Sequence, residues 1–264
     1  MSTPRNYQTQ AVIIKQIKFS EVDKILIIYT PEFGKLKAIA KGAYRPRSKL
    51  GGNVEPLTHS SMMLARGRNF DIVTQSQTID GFMALKNDLW HTSCGLYIVD
   101  LIDSFTVEND KNPPLFNLLI DTLHHLCQTD DSETILRYFE LHFLHHLGYQ
   151  PQLQQCVACN APLMPVVNFF SFSQGGALCP NCSNKEAAPY PLSVDALKIL
   201  RLWQNSDYAT ARRVKIRPKL SSQLRQVMQN YIKHLLQREV KSMIWLQKLR
   251  KVDNTPPKKL KSPP

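Results

Sequence analysis

The chain has 264 residues, 43% of them hydrophobic, which is enough apolar material for one large or two to three small packed domains and excludes a disordered chain. No run of about 18 apolar residues occurs, so no membrane-spanning helix is expected, and the N-terminal Met1-Ser2-Thr3-Pro4-Arg5-Asn6 lacks the apolar stretch of a secretory signal. The net charge of +12 is unevenly spread: residues 1–80 carry +6, residues 81–155 carry −7 and residues 156–264 carry +13. Two basic blocks around an acidic middle point to a polyanionic partner, in a cytoplasmic protein.

In chain order, the first 80 residues read as strands. Tyr7 to Ile17, Lys24 to Thr30 and Lys35 to Ala40 are rich in Val, Ile and Tyr and are separated by turn residues. Leu57 to Ala65 and Phe70 to Thr78 follow, joined by Arg66-Gly67-Arg68-Asn69. Five short strands with no helix long enough for a crossover predict a small closed antiparallel barrel, of which the OB-fold is the commonest form and an SH3-like barrel the alternative.

Character changes at Gly81. Leu85, Leu89, Leu96, Val99, Ile102 and Phe105 recur at helical spacing between Ala84 and Val107. After a Pro113-Pro114 break a second helix runs through Leu115, Leu118, Leu119, Leu123 and Leu126. A third is expected from Ser132, read as its N-cap, to a stop at Gly148, with Leu136, Phe139, Phe143 and Leu147 on one face. Residues 151–190 read as loop. A helix is expected from Ser193 to near Trp203, and a longer one from about Pro218. Residues 251–264, rich in Pro and Lys, read as a disordered basic tail. The expected fold is therefore α+β: a barrel over 1–80, a helical domain over 81–150 and 191–250, and an insertion over 151–190.

That insertion carries Cys156-x2-Cys159-x19-Cys179-x2-Cys182. Each CxxC turn presents two thiolates to one ion, and two such turns complete the tetrahedral shell of a single structural zinc, leaving no open position for substrate. A redox reading would need a thioredoxin-like βαβ context, which is absent. Cys94 and Cys127 stand alone on apolar stretches and read as core residues. His142 and His146 lie four apart, but no H-E-x-x-H pattern accompanies them, so they read as solvated or hydrogen-bonded histidines.

The barrel's third connection, residues 41–52, interleaves Lys41, Arg45, Arg47 and Lys49 with Tyr44, and the later hairpin adds Arg66 and Arg68. Cations attract backbone phosphates and an aromatic ring offers a stacking surface to an unpaired base, so these residues are the candidate nucleic-acid contacts, without base-specific readout. No phosphate-binding loop or nucleophile elbow is present, and no catalytic residue is assigned. Asp100 and Asp103, three apart on a helix, leave a metal-dependent nuclease as one alternative. A zinc-ribbon RNA-binding factor is another.

Glu21-Val22-Asp23, Tyr29-Thr30-Pro31-Glu32-Phe33-Gly34, and Lys41-Gly42-Ala43-Tyr44-Arg45 with Ser48-Lys49 resemble the N-terminal domain of the bacterial recombination mediator family RecO. The resemblance continues through Arg137-Tyr138-Phe139-Glu140-Leu141, Leu147-Gly148-Tyr149-Gln150-Pro151 and Phe172 with Gly175-Gly176, spanning roughly residues 6–242. It implies an OB-fold, a helical domain and a zinc insertion in a non-enzymatic protein of recombinational repair, acting at the nucleoid. It further implies binding of single- and double-stranded DNA, annealing of complementary strands, and work with RecR in loading RecA onto DNA covered by single-strand-binding protein, whose acidic C-terminal tail docks on the helical domain.

Overall fold

The computed structural model describes residues 5–48 and 50–253. Five strands, β1 (Asn6–Lys18), β2 (Lys24–Thr30), β3 (Gly34–Ala40), β4 (His59–Ala65) and β5 (Asp71–Asp80), close into a barrel in the order β1-β2-β3-β5-β4. Neighbours are antiparallel except β3 and β5, which pair in parallel at Ala38–Asp71 and Ile39–Ile72. This closure is the OB-fold arrangement and sets aside the SH3-like alternative.

The apolar runs of β1 and β2 follow from burial on both faces. Ala11, Ile13, Leu26 and Ile28 point into the barrel, together with Leu36, Met62, Leu64 and Val73. The intervening Val12, Ile14, Ile27 and Tyr29 point outward into the core of the helical domain. Strand alternation alone sends successive side chains to opposite faces. Each such aliphatic contributes about 1.5–3 kcal/mol, so the outward set ties barrel to helices firmly.

The helical domain begins with α1 (Met83–Lys86) and α2 (Leu89–Phe105), followed by α3 (Pro113–Gln128) and α4 (Ser132–His146). The expected first helix is thus split at Asn87-Asp88, because the Asp88 carboxylate caps a new helix by accepting from the His91 N–H. Its buried face is set by Cys94, Ile98, Leu101 and Ile102, whereas Leu89 and Leu96, placed by spacing on the core stripe, are exposed. Pro113 and Pro114 occupy the first turn of α3, where a missing N–H costs nothing. The N-cap of α4 is Asp131, which accepts from Thr134 N–H at 3.2 Å, and not Ser132, whose hydroxyl instead accepts from the Trp90 indole at 2.7 Å. Gly148, at φ 79, ends α4 as expected.

Residues 151–190, read from sequence as loop, contain β6 (Asn168–Ser171), β7 (Gly176–Leu178), α5 (Pro180–Ser183) and the start of β8 (Tyr190–Leu192), in a three-stranded sheet ordered β7-β6-β8. These strands have too few residues to show a two-residue period. Then come α6 (Val194–Asn205), capped by Ser193, α7 (Tyr208–Ala211), α8 (Pro218–Leu236) and α9 (Lys241–Asp253). The last helix was not anticipated and carries helical backbone to Asp253, into the stretch read as a tail; residues 254–264 lie outside the described residues. It docks on α2, where Ser242 donates to Asp100 at 2.6 Å and the Trp245 indole donates to Ser93 at 3.1 Å.

At the centre of the helical domain, Arg137 and Glu140 form a fully buried pair, with Arg137 Nε donating to Glu140 at 2.6 Å and Tyr97 Oη donating to it at 2.7 Å. Glu133 receives three guanidinium groups, those of Arg137, Arg225 and Arg250.

Candidate nucleic-acid interface and metal centre

The basic loop leaves β3 at Lys41 and is held to the β1–β2 connection by hydrogen bonds from its backbone N–H groups. Gly42 takes a left-handed conformation, φ 65, so that its N–H donates to the Asp23 carboxylate at 2.7 Å, and Tyr44 N–H donates to Val22 C=O at 3.0 Å. Ala43 is buried against the barrel interior, which turns Lys41, Tyr44, Arg45 and Arg47 outward. The Tyr44 ring lies over a buried cation: Lys24 Nζ is 4.7 Å from its centroid and 2.7 Å from Glu55. That contact fixes the ring while leaving it 45% exposed. Among the described residues no carboxylate lies within ion-pair distance of Lys41, Arg45 or Arg47. Lys49 lies outside the described residues.

Arg66 and Arg68 are not brought to this loop. Alternating strand directions put the β1–β2 and β3–β4 connections at one end of the barrel and the β2–β3 and β4–β5 connections at the other. Arg66 accordingly stacks over Tyr7, 4.9 Å from the ring centroid, and Tyr7 packs 4.7 Å from Phe33. Arg68 is exposed on the same turn, whose Gly67 cannot carry a Cβ because the atom would fall 2.0 Å from Phe70 C=O.

Residues that the sequence reading passed over do share the loop's end. Lys18 and Phe19 leave β1 beside Asp23, Phe19 N–H donating to Asp23 C=O at 3.1 Å, and Phe19 is 54% exposed. The available signal was a lysine–aromatic pair in a short connection of a barrel expected to bind through its loops. With Tyr44 they place two exposed aromatic rings and several free cations at one rim, a surface suited to unpaired bases and their phosphates.

The four cysteines converge as their spacing predicts. Their Sγ atoms all lie within 4.8 Å of one another, with Cys159 and Cys179 3.9 Å apart. A tetrahedral ion with thiolate bonds near 2.3 Å requires sulfur separations of about 3.8 Å, so the donor set fits a metal ion. The first turn closes through Asn160, at φ 59, whose N–H donates to Cys156 C=O at 2.8 Å. The second closes through Cys182 N–H donating to Cys179 C=O at 3.1 Å, with Pro180 opening α5. Gly176 brings β7 against the first cysteine turn: a Cβ there would lie 2.5 Å from Gln152 C=O and 2.6 Å from Val157 Cγ1. Burial opposes ionisation of Cys156, yet the backbone N–H groups of Cys179, Ala158 and Cys159 outweigh it and lower the thiol to about 6. Cys182 is pushed up to about 12 by hydrogen bonds with Cys179 and Cys159. A neighbourhood that already favours one thiolate is what a cationic ligand needs.

The other candidate groups are engaged elsewhere. Asp100 accepts from Ser242, and Asp103 pairs with Lys15 at 3.3 Å and Lys35 at 3.4 Å, so the two acids of the nuclease alternative serve as inter-element ties. His142 Nε2 lies 2.9 Å from Trp203 C=O and His145 Nδ1 lies 2.6 Å from Gln150. Cys94 is fully buried, which pushes its thiol up to about 12, and Cys127 is half-buried. No helix among the described residues is long and apolar enough to cross a membrane.

Comparison with known families gives two adjoining matches. The model described as Recombination protein O N terminal matches residues 1–82, and that described as Recombination protein O C terminal matches residues 86–244, meeting at α1. The chain is 36% identical over 253 residues to the DNA repair protein RecO of Dehalococcoides mccartyi, covering 96% of this chain and 100% of that one. It is similar to the RecO proteins of a Roseiflexus species, 36% identical with 95% and 88% covered, and of Syntrophus aciditrophicus, 32% identical with 96% and 99% covered.

Proposed function

The chain belongs to the RecO family of DNA repair proteins, and from that premise we propose that it is a non-enzymatic mediator of recombinational repair. It binds and anneals single-stranded DNA and helps load RecA onto DNA covered by single-strand-binding protein. The observation that carries the reading is the barrel rim, where, among the described residues, Lys41, Arg45 and Arg47 stand free of carboxylates at the same end as the exposed rings of Tyr44 and Phe19. Such a rim binds backbone and bases without reading sequence, which is what annealing requires. Lys49 belongs to the same loop in sequence and is assigned to it. Arg66 and Arg68, at the far end of the barrel, are assigned a secondary role along the bound strand.

The cysteine quartet is read as one structural zinc site. Four thiol donors with no carboxylate or histidine among them favour zinc over harder ions, and a filled shell leaves the ion no catalytic position. The ion would clamp the insertion. RecR and the acidic tail of single-strand-binding protein are the expected protein partners, in the compartment that holds the chromosome.

The deciding experiment is annealing of complementary strands coated with single-strand-binding protein, without ATP. The wild-type chain accelerates annealing, and the K41A/R45A/R47A variant does so weakly. No acceleration by the wild type would reject the mediator reading. Equal acceleration by the variant would move the site off the rim.

A further inference from the structure

Residues 147–184 contain no Asp, Glu, Lys, Arg or His, in a chain that is 20% charged. The stretch begins where α4 ends and runs past the second pair of cysteines. Within it, residues 161–167 read Ala-Pro-Leu-Met-Pro-Val-Val. Leu163 is buried and the other six stand exposed, Met164 by 64%, Val166 by 46% and Val167 by 52%. Such a loop would collapse onto the protein if it were free to, and it is held open. Cys156 N–H donates to Ala161 C=O at 2.8 Å, and Leu163 N–H donates to Gln154 C=O at 3.2 Å. Across the loop, the fully buried side chain of Asn168 donates to Met164 C=O at 2.9 Å and to Val166 C=O at 2.8 Å. Pro162 and Pro165 fix two more backbone angles. An apolar knuckle held in one shape loses little conformational entropy when it is covered.

A shallow cleft of about 250 Å³ adjoins the knuckle, lined by Pro151 and five amide side chains, those of Gln150, Gln152, Gln154, Gln204 and Asn205. Gln154 joins the two features through its hydrogen bond with Leu163. Amides both donate and accept, so they can satisfy the polar groups of a covering chain without adding charge. Two charge-bearing groups touch this surface. Arg201 turns its guanidinium onto backbone, donating to Leu153 C=O at 2.7 Å, and the His145 ring lies 2.6 Å from Gln150 Oε1.

We infer that this face, knuckle and amide cleft together, is a contact surface for a second copy of the chain. A two-fold axis would set the knuckle of each copy on the cleft of the other. The sign of the charge selects the occupant. A phosphate backbone or an acidic protein gains by meeting cations, and the charge-free stretch has none to offer. Loss of charge benefits a partner of like sign, because it removes the repulsion that two chains of +12 meet elsewhere on their surfaces. A filled cysteine site would add negative charge and lower that repulsion further. Depletion of charge and enrichment in methionine also mark the centres of protein interfaces. The face offers about a dozen residues, short of the roughly 20–30 a side of a standard interface, so the pair is weak and forms as concentration rises. Nothing in this pairing depends on what the barrel rim binds, and a pair would carry two rims.

The test is sedimentation of the full metal-loaded chain over a wide concentration range, at low and high salt. The wild type is expected to move from monomer toward dimer as concentration rises, at least as strongly in high salt, which screens the general repulsion and leaves an uncharged contact intact. M164E/V166E changes only exposed side chains and is expected to keep its melting temperature while weakening the pairing by about tenfold or more. K41A/R45A/R47A at the rim is expected to pair as the wild type does. Hydrogen exchange of the wild type at low and high concentration gives a readout without any variant, with protection gained at 150–154 and 161–168. A wild type that stays monomeric throughout, or a pairing undiminished in M164E/V166E, would overturn the inference. So would a monomer that binds neutral phosphatidylcholine vesicles through Met164 and Val166, since the knuckle would then be a lipid contact.

Discussion

The barrel and the cysteine-bearing insertion hold their shape by different means. Ile13, Leu26, Ile28, Met62 and Leu64 fill the barrel's interior, and its strands close on one another without an edge. The insertion has three strands of 4, 3 and 3 residues, and its buried residues Leu153, Phe170 and Leu178 belong to the core of the helical domain. Phe170 reaches that core through Tyr231, 5.4 Å away. A sheet that small cannot bury enough apolar surface to offset the entropy of ordering it. A metal ion held by the cysteine cluster would supply what the strands lack. Closure by apolar packing makes the barrel indifferent to metal, whereas a metal held by the four cysteines would make the insertion depend on it.

Removing the metal tests this contrast most severely. Chelation, or Cys156→Ser, is expected to lower stability by about 4 kcal/mol or more, because metal-binding energy in such a site is folding energy. Hydrogen exchange should show residues 152–192 losing protection while β1–β5 keep theirs. Equal melting and equal protection with and without chelator would erase the distinction.

Glu140→Gln comes next, at roughly 3–5 kcal/mol in a urea melt, since it strands the Arg137 guanidinium in a fully buried position. This loss lies in the helical core and should add to that of chelation. Gly176→Ala is expected to cost about 1–3 kcal/mol, because its Cβ would press on the Gln152 carbonyl, and to weaken metal retention as well. The same substitution on a barrel surface strand would leave metal untouched.

A pH series separates the regions further. Burial lowers the pKa of His142, and likewise of His146 where neighbouring histidines add to it, so the unfolded chain binds more protons there than the folded one. Their contribution to stability is therefore complete above the free imidazole value of about 6.5 and is lost as pH falls from there through the folded pKa values. The melting temperature of metal-free protein should fall between about pH 7 and 5, and less so in His142→Gln. The smallest effect on stability belongs to K41A/R45A/R47A, within about 0.5 kcal/mol, since those side chains are exposed and unpaired. A larger loss would show that the rim is structural.

Much of the architecture was written locally. The bounds of β2 coincide with the Lys24–Thr30 run, the cysteine spacing announced the cluster, and the interleaved charges of 41–47 marked a loop that is exposed. Hydrophobic period, turn residues and ligand spacing lie within windows of a few residues, so the sequence by itself determined them. Other features needed the chain to return from afar. Asp103 meets Lys35, Asp100 meets Ser242, and Glu133 gathers Arg225 and Arg250 from separate helices. Spacing placed Leu89 and Leu96 on a buried stripe, yet both stand exposed among the described residues. Strand direction, not composition, sent Arg66 and Arg68 to the far end of the barrel from Lys41. Tertiary structure alone decided which charges are neutralised and which stay free, because a charge's partner is set by packing.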